Sequence, residues 1–278
     1  PVKASPLLNT KFSPPPGTSS LPRPHLIQWL DSRMEQRLIL VSAPAGYGKT
    51  TLLADFFNAH SGPSAWYQLE ASDSDPTVFL SHLIESIRRI PTANKKNNKI
   101  GQNAQSLLNS AESGVDSRRV LTVLINELSE QINDSLLIIL EDYHFVASPI
   151  VHQLLDYLLE NAPPTLHFII STRTDPPLAL ARLRARGLLS ELRANDLRFN
   201  DDEVETLLRR EVPDISAESL NALSQKTEGW AAALQIVRSS LAGQNAESAR
   251  EIVTSLSGSN RFVFEYLAEE VFRRQPEA

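Results

Sequence analysis

Gly48-Lys49-Thr50 is the triplet in this chain with the clearest chemistry. It closes the run Ser42-Ala43-Pro44-Ala45-Gly46-Tyr47-Gly48-Lys49-Thr50-Thr51, which lies between the apolar stretch Leu38-Ile39-Leu40-Val41 and Leu52-Leu53. A small-residue turn between a strand and a helix points backbone N–H groups at phosphate oxygens, and the helix N-terminus adds positive partial charge. In such a loop Lys49 reaches the β- and γ-phosphates and the Thr50 hydroxyl ligates Mg²⁺. Ala45, Gly46, Tyr47, Gly48 and Thr51 complete the expected nucleotide-binding set. The pattern G-x-x-x-x-G-K-[ST] opens with Gly, whereas this chain has Ala43, which needs φ below zero or carries strain.

Two further constellations follow apolar runs. Leu136-Leu137-Ile138-Ile139-Leu140 leads into Glu141-Asp142-Tyr143-His144. Open α/β sheets bind ligands at the carboxyl ends of their strands, so this acidic pair is expected beside Thr50. One carboxylate can hold Mg²⁺ and the other can orient a water; which does which is open. Leu166-His167-Phe168-Ile169-Ile170 leads into Ser171-Thr172-Arg173. A cation there either reads the γ-phosphate or pairs with Asp175 at the surface. His144 reads as a hydrogen-bonded structural residue, and His60, His82, His152 and His167 are too scattered for a metal site. The helix expected to carry Arg182, Arg184 and Arg186 reads as a solvated face.

The elements that must position these groups are legible from periodicity. Leu26, Leu30 and Met34 predict a short amphipathic helix after an extended arm rich in Pro and Ser. Strands are expected at 38–41, 65–69, 136–140 and 166–170. Helices are expected at 49–60, 76–90, 115–130 and 149–160, with Asp75-Pro76 and Ser148-Pro149 as starts. Strand–helix alternation gives a right-handed, doubly wound parallel sheet. Residues 91–114 read as a polar surface connection with a short helix at 104–108 and solvated Lys95 and Lys96. Beyond Leu197 the pattern is helical only: 201–210, 216–224, 230–241 and 262–273. The fold class is therefore α/β, a P-loop NTPase with a small all-α domain. Its domains are an arm at 1–24, a nucleotide-binding domain at 25–197 and a helical domain at 198–278.

Composition narrows the function classes. A net charge of −6 gives no general case for binding nucleic acid or anionic membrane. With no cysteine there is neither a disulfide nor a thiolate metal site, which fits a cytoplasmic location. No apolar run approaches the roughly 20 residues that span a bilayer. No guanine-type Asn-Lys-x-Asp signature follows the strands. The sequence starts at Pro1, ends soon after Val271-Phe272-Arg273, and reads as a piece of a longer protein.

Six blocks in order, Ala43–Thr51, Leu140–His144, Ser171–Pro177, Leu183–Leu188, Glu191–Phe199 and Thr227–Trp230, resemble the MalT-like branch of the STAND ATPases. The resemblance covers the chain from Thr10 onward. It implies a regulator in which ADP holds a closed monomer while inducer and ATP promote opening and self-association. It also implies a winged helix, an inducer sensor and a LuxR-type DNA-binding effector beyond this segment. DNA contact would then come only through that effector, and no membrane is involved. Carried onto these residues, Glu141 and Asp142 are the acidic pair, Arg173 is the sensor arginine, and Arg23 in Pro22-Arg23-Pro24 packs on adenine. Trp230 lies where the helical domain closes over the nucleotide. Hydrolysis would be a slow timer in which Asp142 orients water. The rival readings are a turning-over ATPase or small-molecule kinase, and a scaffold that binds no nucleotide.

Overall fold

The computed structural model describes residues 8–16, 21–90, 100–110, 116–132, 134–244 and 247. These fall into two compact units. One holds the described residues up to Ser42 together with Thr50–Leu192; the other holds Ala43–Lys49 with the described residues from Arg193 on.

The first unit runs in the order α1 (Pro24–Asp31), β1 (Leu38–Ser42), α2 (Lys49–Ala59), β2 (Ser64–Gln68), α3 (Pro76–Arg88), α4 (Gln102–Asn109) and α5 (Ser117–Gln131). It continues with β3 (Leu136–Glu141), α6 (Pro149–Asn161), β4 (Leu166–Thr172), α7 (Leu180–Ala185) and β5 (Leu189–Arg193). The sheet order is β2-β3-β4-β1-β5, and the pairs β2–β3, β3–β4 and β4–β1 are parallel. β1, β3 and β4 are buried along their whole length, as strands covered on both faces must be. Leu38, Leu40, Ile138, Leu140, Phe168 and Ile170 share one core with Leu83 of α3, Leu124 of α5 and Leu155 of α6. On the opposite face Trp66 of β2 meets Phe57 of α2 edge-on, with ring centroids 5.7 Å apart. The register pairs Leu140 with Ile170 and Ser42 with Thr172, so β3, β4 and β1 end together at one edge of the sheet.

The second unit carries α8 (Ala194–Leu197), α9 (Asp201–Arg209), α10 (Ala217–Thr227) and α11 (Ala231–Leu241). Its helix starts are chemically specified. Asn200 accepts the Glu203 N–H at 2.9 Å while Glu203 accepts the Asn200 N–H, a reciprocal cap of α9. Ser216 caps α10 through the Ser219 N–H at 3.1 Å.

Most expected elements are present, with differences of physical origin. β5 was not anticipated; Leu192 is its one buried residue and it lies at the sheet edge, so it has no apolar run. α1 stops at Asp31, and Met34 lies in the turn beyond it. Asp75 does cap α3, accepting the Thr77 and Val78 N–H groups, but Ser148 makes no side-chain cap for α6, where Pro149 alone sets the first turn. The expected connection contains α4, held by buried Ala104 and Leu108 and by Glu127, which accepts the Asn103 N–H at 2.9 Å. Lys95, Lys96 and the expected helix 262–273 lie outside the described residues.

Within the expected arm, Asn9–Phe12 forms a 3₁₀ turn that buries Lys11 and Phe12. Lys11 Nζ donates to the fully buried Asp73 at 2.7 Å, and Asp73 is also held by the Tyr67 hydroxyl and by His82 Nδ1, both at 2.7 Å. A buried lysine is tolerated here because its charge is paired and hydrogen-bonded.

Candidate nucleotide-binding site

The loop is built by backbone conformation. Gly46 and Gly48 sit at φ +78° and +76°, a region that side-chain-bearing residues avoid. Ala43 has no such conformation, so its place at the head of the loop carries no strain. Lys49 is buried and folds back over the loop, donating to the carbonyls of Ala43 at 2.7 Å and Pro44 at 3.0 Å. The same unit brings the start of α11 onto the loop. Trp230 Nε1 donates to the Ala45 carbonyl at 3.3 Å, and the Ala232 N–H donates to the Gly46 carbonyl at 2.9 Å. Arg198, whose guanidinium pKa is held above its ordinary value first by its hydrogen bond to Glu228, also neighbours Tyr47.

The chain enters α11 through Glu228 and Gly229, at φ +48° and +67°. Gly229 is required there. A Cβ on it would stand 2.2 Å from the Phe199 carbonyl oxygen, and the Phe199 N–H donates to the Gly229 carbonyl at 2.8 Å.

In the sheet unit, Thr50 Oγ1 donates to Glu141 Oε1 at 2.5 Å. Glu141 is fully buried at the end of β3. A hydroxyl and a carboxylate this close are hard oxygen donors of the kind Mg²⁺ takes alongside phosphate oxygens. Among the described residues no group of three or more His, Cys, Asp or Glu side chains could hold a metal by itself. The donor set therefore fits a cation whose remaining ligands are phosphate and water.

Asp142 follows at φ +59° and ψ +38°, left-handed for a residue with a side chain. Such strain persists only where the surroundings hold it. Here the Asp142 N–H donates to Ser171 Oγ at 3.1 Å, and the next residue, Tyr143, is anchored through its hydroxyl, which meets His152 Nδ1 at 2.8 Å. Burial pushes the Tyr143 hydroxyl pKa upward, with Asp156 adding to it; burial pushes His152 down, partly offset by Asp156. Both neutral forms are therefore favoured.

The other expected residues are placed as follows. Arg23 is buried at the N-cap of α1, and Thr51 lies half-buried in the first turn of α2. Arg173 is half-buried just past β4, while Asp175 accepts the Ser42 hydroxyl at 3.1 Å. Arg182 and Arg184 pair with Glu160 at 2.6 Å and Glu191 at 3.0 Å, as a solvated face would, and Arg186 lies just past α7. His144 stacks on Phe145 with its Nδ1 3.7 Å from Asp142, and His167 Nδ1 meets the Gln36 carbonyl at 2.9 Å. Ser171, Ala232 and Arg198 were not singled out from sequence. A serine in a strand, an alanine in a helix and an arginine in a mixed-charge stretch have no local signature of these roles.

No protein-family model matches the chain. Among curated proteins it is 34% identical to the serine/threonine-protein kinase PknK of Mycobacterium tuberculosis, over 97% of this chain and 24% of that protein. It is 34% identical to the HTH-type transcriptional regulator MalT of Yersinia enterocolitica, over 90% of this chain and 27% of that regulator. MalT of Vibrio cholerae matches at 29% over 91% of this chain. The chain thus spans about a quarter of the length of these relatives. Among solved structures it superposes on a STAND protein with a tetratricopeptide repeat sensor from Pyrococcus horikoshii. That match has a TM-score of 0.53 at 16% identity and covers 97% of this chain and 35% of the other. A Walker-type ATPase of Pyrococcus abyssi matches with a TM-score of 0.50 at 15% identity, over 92% of this chain and 77% of the other. At those identities the structures speak for the P-loop fold alone. With the MalT alignments along nine-tenths of this chain, that fold supports a MalT-like P-loop ATPase branch.

Proposed function

We propose that this chain is the ATP/ADP-binding switch module of a signal-responsive regulator. The observation that carries the reading is the Thr50 hydroxyl on the Glu141 carboxylate, one residue beyond a buried Lys49 in a glycine-shaped loop. Lys49 and Thr50 are consecutive, so the phosphate that one holds and the cation that the other ligates belong to one nucleotide. In this reading Ala45–Thr51 hold the phosphates, Thr50 with Glu141 and Asp142 holds Mg²⁺, and Arg23 packs on adenine. The cation supplies charge neutralisation at the phosphates. Asp142, held in its left-handed turn, orients a water for slow hydrolysis, and Arg173 reads the γ-phosphate.

The relatives support a regulatory rather than a dedicated catalytic role. The same quarter-length segment aligns at 34% identity with a protein kinase and with a transcriptional regulator. In this reading the shared segment is the switch, and the effector is what differs between such proteins. For the whole protein we infer a cytoplasmic regulator, with an inducer acting through a sensor beyond this segment and with self-association in the ATP state. DNA contact, as in a transcriptional regulator, would come only through a separate effector. Among the described residues no helix is long and apolar enough to cross a membrane. Moving a two-state balance from 1:99 to 99:1 takes about 5.5 kcal/mol of differential affinity, so inducer and nucleotide acting together is the sensible arrangement.

The test is sedimentation of the chain with ADP and with a non-hydrolysable ATP analogue, alongside steady-state turnover. A nucleotide-dependent change in size or shape with turnover slower than about one per minute supports a switch. Rapid multiple turnover with no change between nucleotides would support an ordinary ATPase instead.

A further inference from the structure

The contact between α11 and the loop is made through peptide groups. Trp230 Nε1 holds the Ala45 carbonyl and the Ala232 N–H holds the Gly46 carbonyl. Among the described residues no peptide bond is cis, and in a trans peptide the C=O and the following N–H point in opposite directions. Fixing the Ala45 carbonyl therefore aims the Gly46 N–H away from α11, and fixing the Gly46 carbonyl does the same for Tyr47. These two N–H groups belong to the turn that precedes Lys49.

Packing makes the arrangement specific to glycine. An added Cβ at Gly46 would meet Ala232 Cβ at 2.7 Å and the Trp230 ring at 2.9 Å, so the indole lies flush on the loop backbone. The Ala232 donor also costs α11 nothing. It lies in the first turn, where helix N–H groups have no partner within the helix.

We propose that Trp230 and Ala232 are positioning residues that orient the Gly46 and Tyr47 N–H groups toward the phosphates, and that Trp230 acts through the loop rather than by touching the nucleotide. The proposal rests on the nucleotide-binding reading above. By linkage the coupling is reciprocal: whatever the phosphates gain from a fixed loop, the α11 contact gains from the phosphates.

The experiment measures binding of inorganic triphosphate and of ADP, both with Mg²⁺, to the parent chain, Trp230→Phe and Ala232→Pro. Trp230→Phe keeps an aromatic side chain but removes the Nε1 donor together with the part of the indole that lies on Gly46. Ala232→Pro removes the backbone donor at a first-turn position where proline is tolerated. Each variant is expected to bind triphosphate and ADP roughly five- to tenfold more weakly, by the same factor for both, as the loss of one hydrogen bond implies. In the parent chain, triphosphate should shift the indole N–H resonance of Trp230, and in Lys49→Ala it should not. Unchanged binding in both variants overturns the proposal. So does a loss for ADP with none for triphosphate, which would mean that the indole touches the nucleoside. If the parent chain binds neither ligand, the nucleotide reading itself fails, and the proposal with it.

Discussion

Gly46→Ala and Gly48→Ala form a matched pair whose difference measures the loop–α11 contact. Both glycines have φ near +77°, so a Cβ at either costs about 1–2 kcal/mol in backbone strain. Beyond that the sites diverge. At Gly48 the nearest atom to an added Cβ is Ala231 Cβ at 3.7 Å, an ordinary contact. At Gly46 three atoms lie within 2.7–2.9 Å, so Trp230 and Ala232 must move, at about 1–3 kcal/mol for overpacking a well-fitted contact. Gly46→Ala should therefore lose about 2–5 kcal/mol locally and Gly48→Ala about 1–2 kcal/mol. The assay is native-state hydrogen exchange at the Ala232 amide, which the Gly46 carbonyl protects, without nucleotide. Gly46→Ala should exchange roughly fivefold to a hundredfold faster than Gly48→Ala, the difference of about 1–3 kcal/mol expressed as a rate ratio. Equal exchange in the two variants would refute the argument that α11 seats on the Gly46 backbone.

Gly229→Ala should be harsher still, because the added Cβ stands 2.2 Å from a backbone oxygen that cannot swing away; a loss above about 3 kcal/mol is expected in urea unfolding of the second unit. Lys11→Ala leaves Asp73 buried without its cation and should cost about 3–5 kcal/mol in chemical denaturation. Burial pushes the Asp73 carboxyl pKa up, but hydrogen bonds from His82, Lys11 and Tyr67 outweigh it and hold the carboxyl below its ordinary range. Its contribution is thus complete above about pH 4 and is lost as pH falls below that, so Asp73→Asn should flatten the acid limb of a melting-temperature profile. His152 is held below its ordinary pKa chiefly by burial, so its contribution is complete above about pH 6.5 and falls as pH drops. Replacing it with Phe should remove that part of the profile. Glu141→Gln should abolish the Mg²⁺ dependence of ADP binding while leaving metal-independent binding in place.

What could be read from sequence was what is local. The run Leu136–Leu140 is apolar at every position because β3 is covered on both faces, as a central strand of a parallel sheet is. Asp75-Pro76 specifies its helix start within two residues, and the small residues of 43–51 specify the loop. Contacts between distant residues were not legible. Lys11 and Asp73 are 62 positions apart, and an isolated lysine in a Pro-rich stretch reads as exposed until its buried partner is known. β5 carries only one buried residue, so the apolar signal that identifies a central strand is missing. Trp230 was marked by resemblance, but the atom it holds, the Ala45 carbonyl 185 residues away, is visible only in three dimensions. Ser171 is similar: only the left-handed turn at Asp142 explains why a hydroxyl is needed beside it.

The central claim is that a nucleotide is held by this loop. The most direct measurement is to denature the purified chain, identify any released nucleotide by chromatography, and titrate the emptied, refolded chain with labelled ADP beside Lys49→Ala. The account predicts ADP, released or rebound, with binding lost in Lys49→Ala. No nucleotide released and no ADP bound, or equal binding by Lys49→Ala, would contradict it.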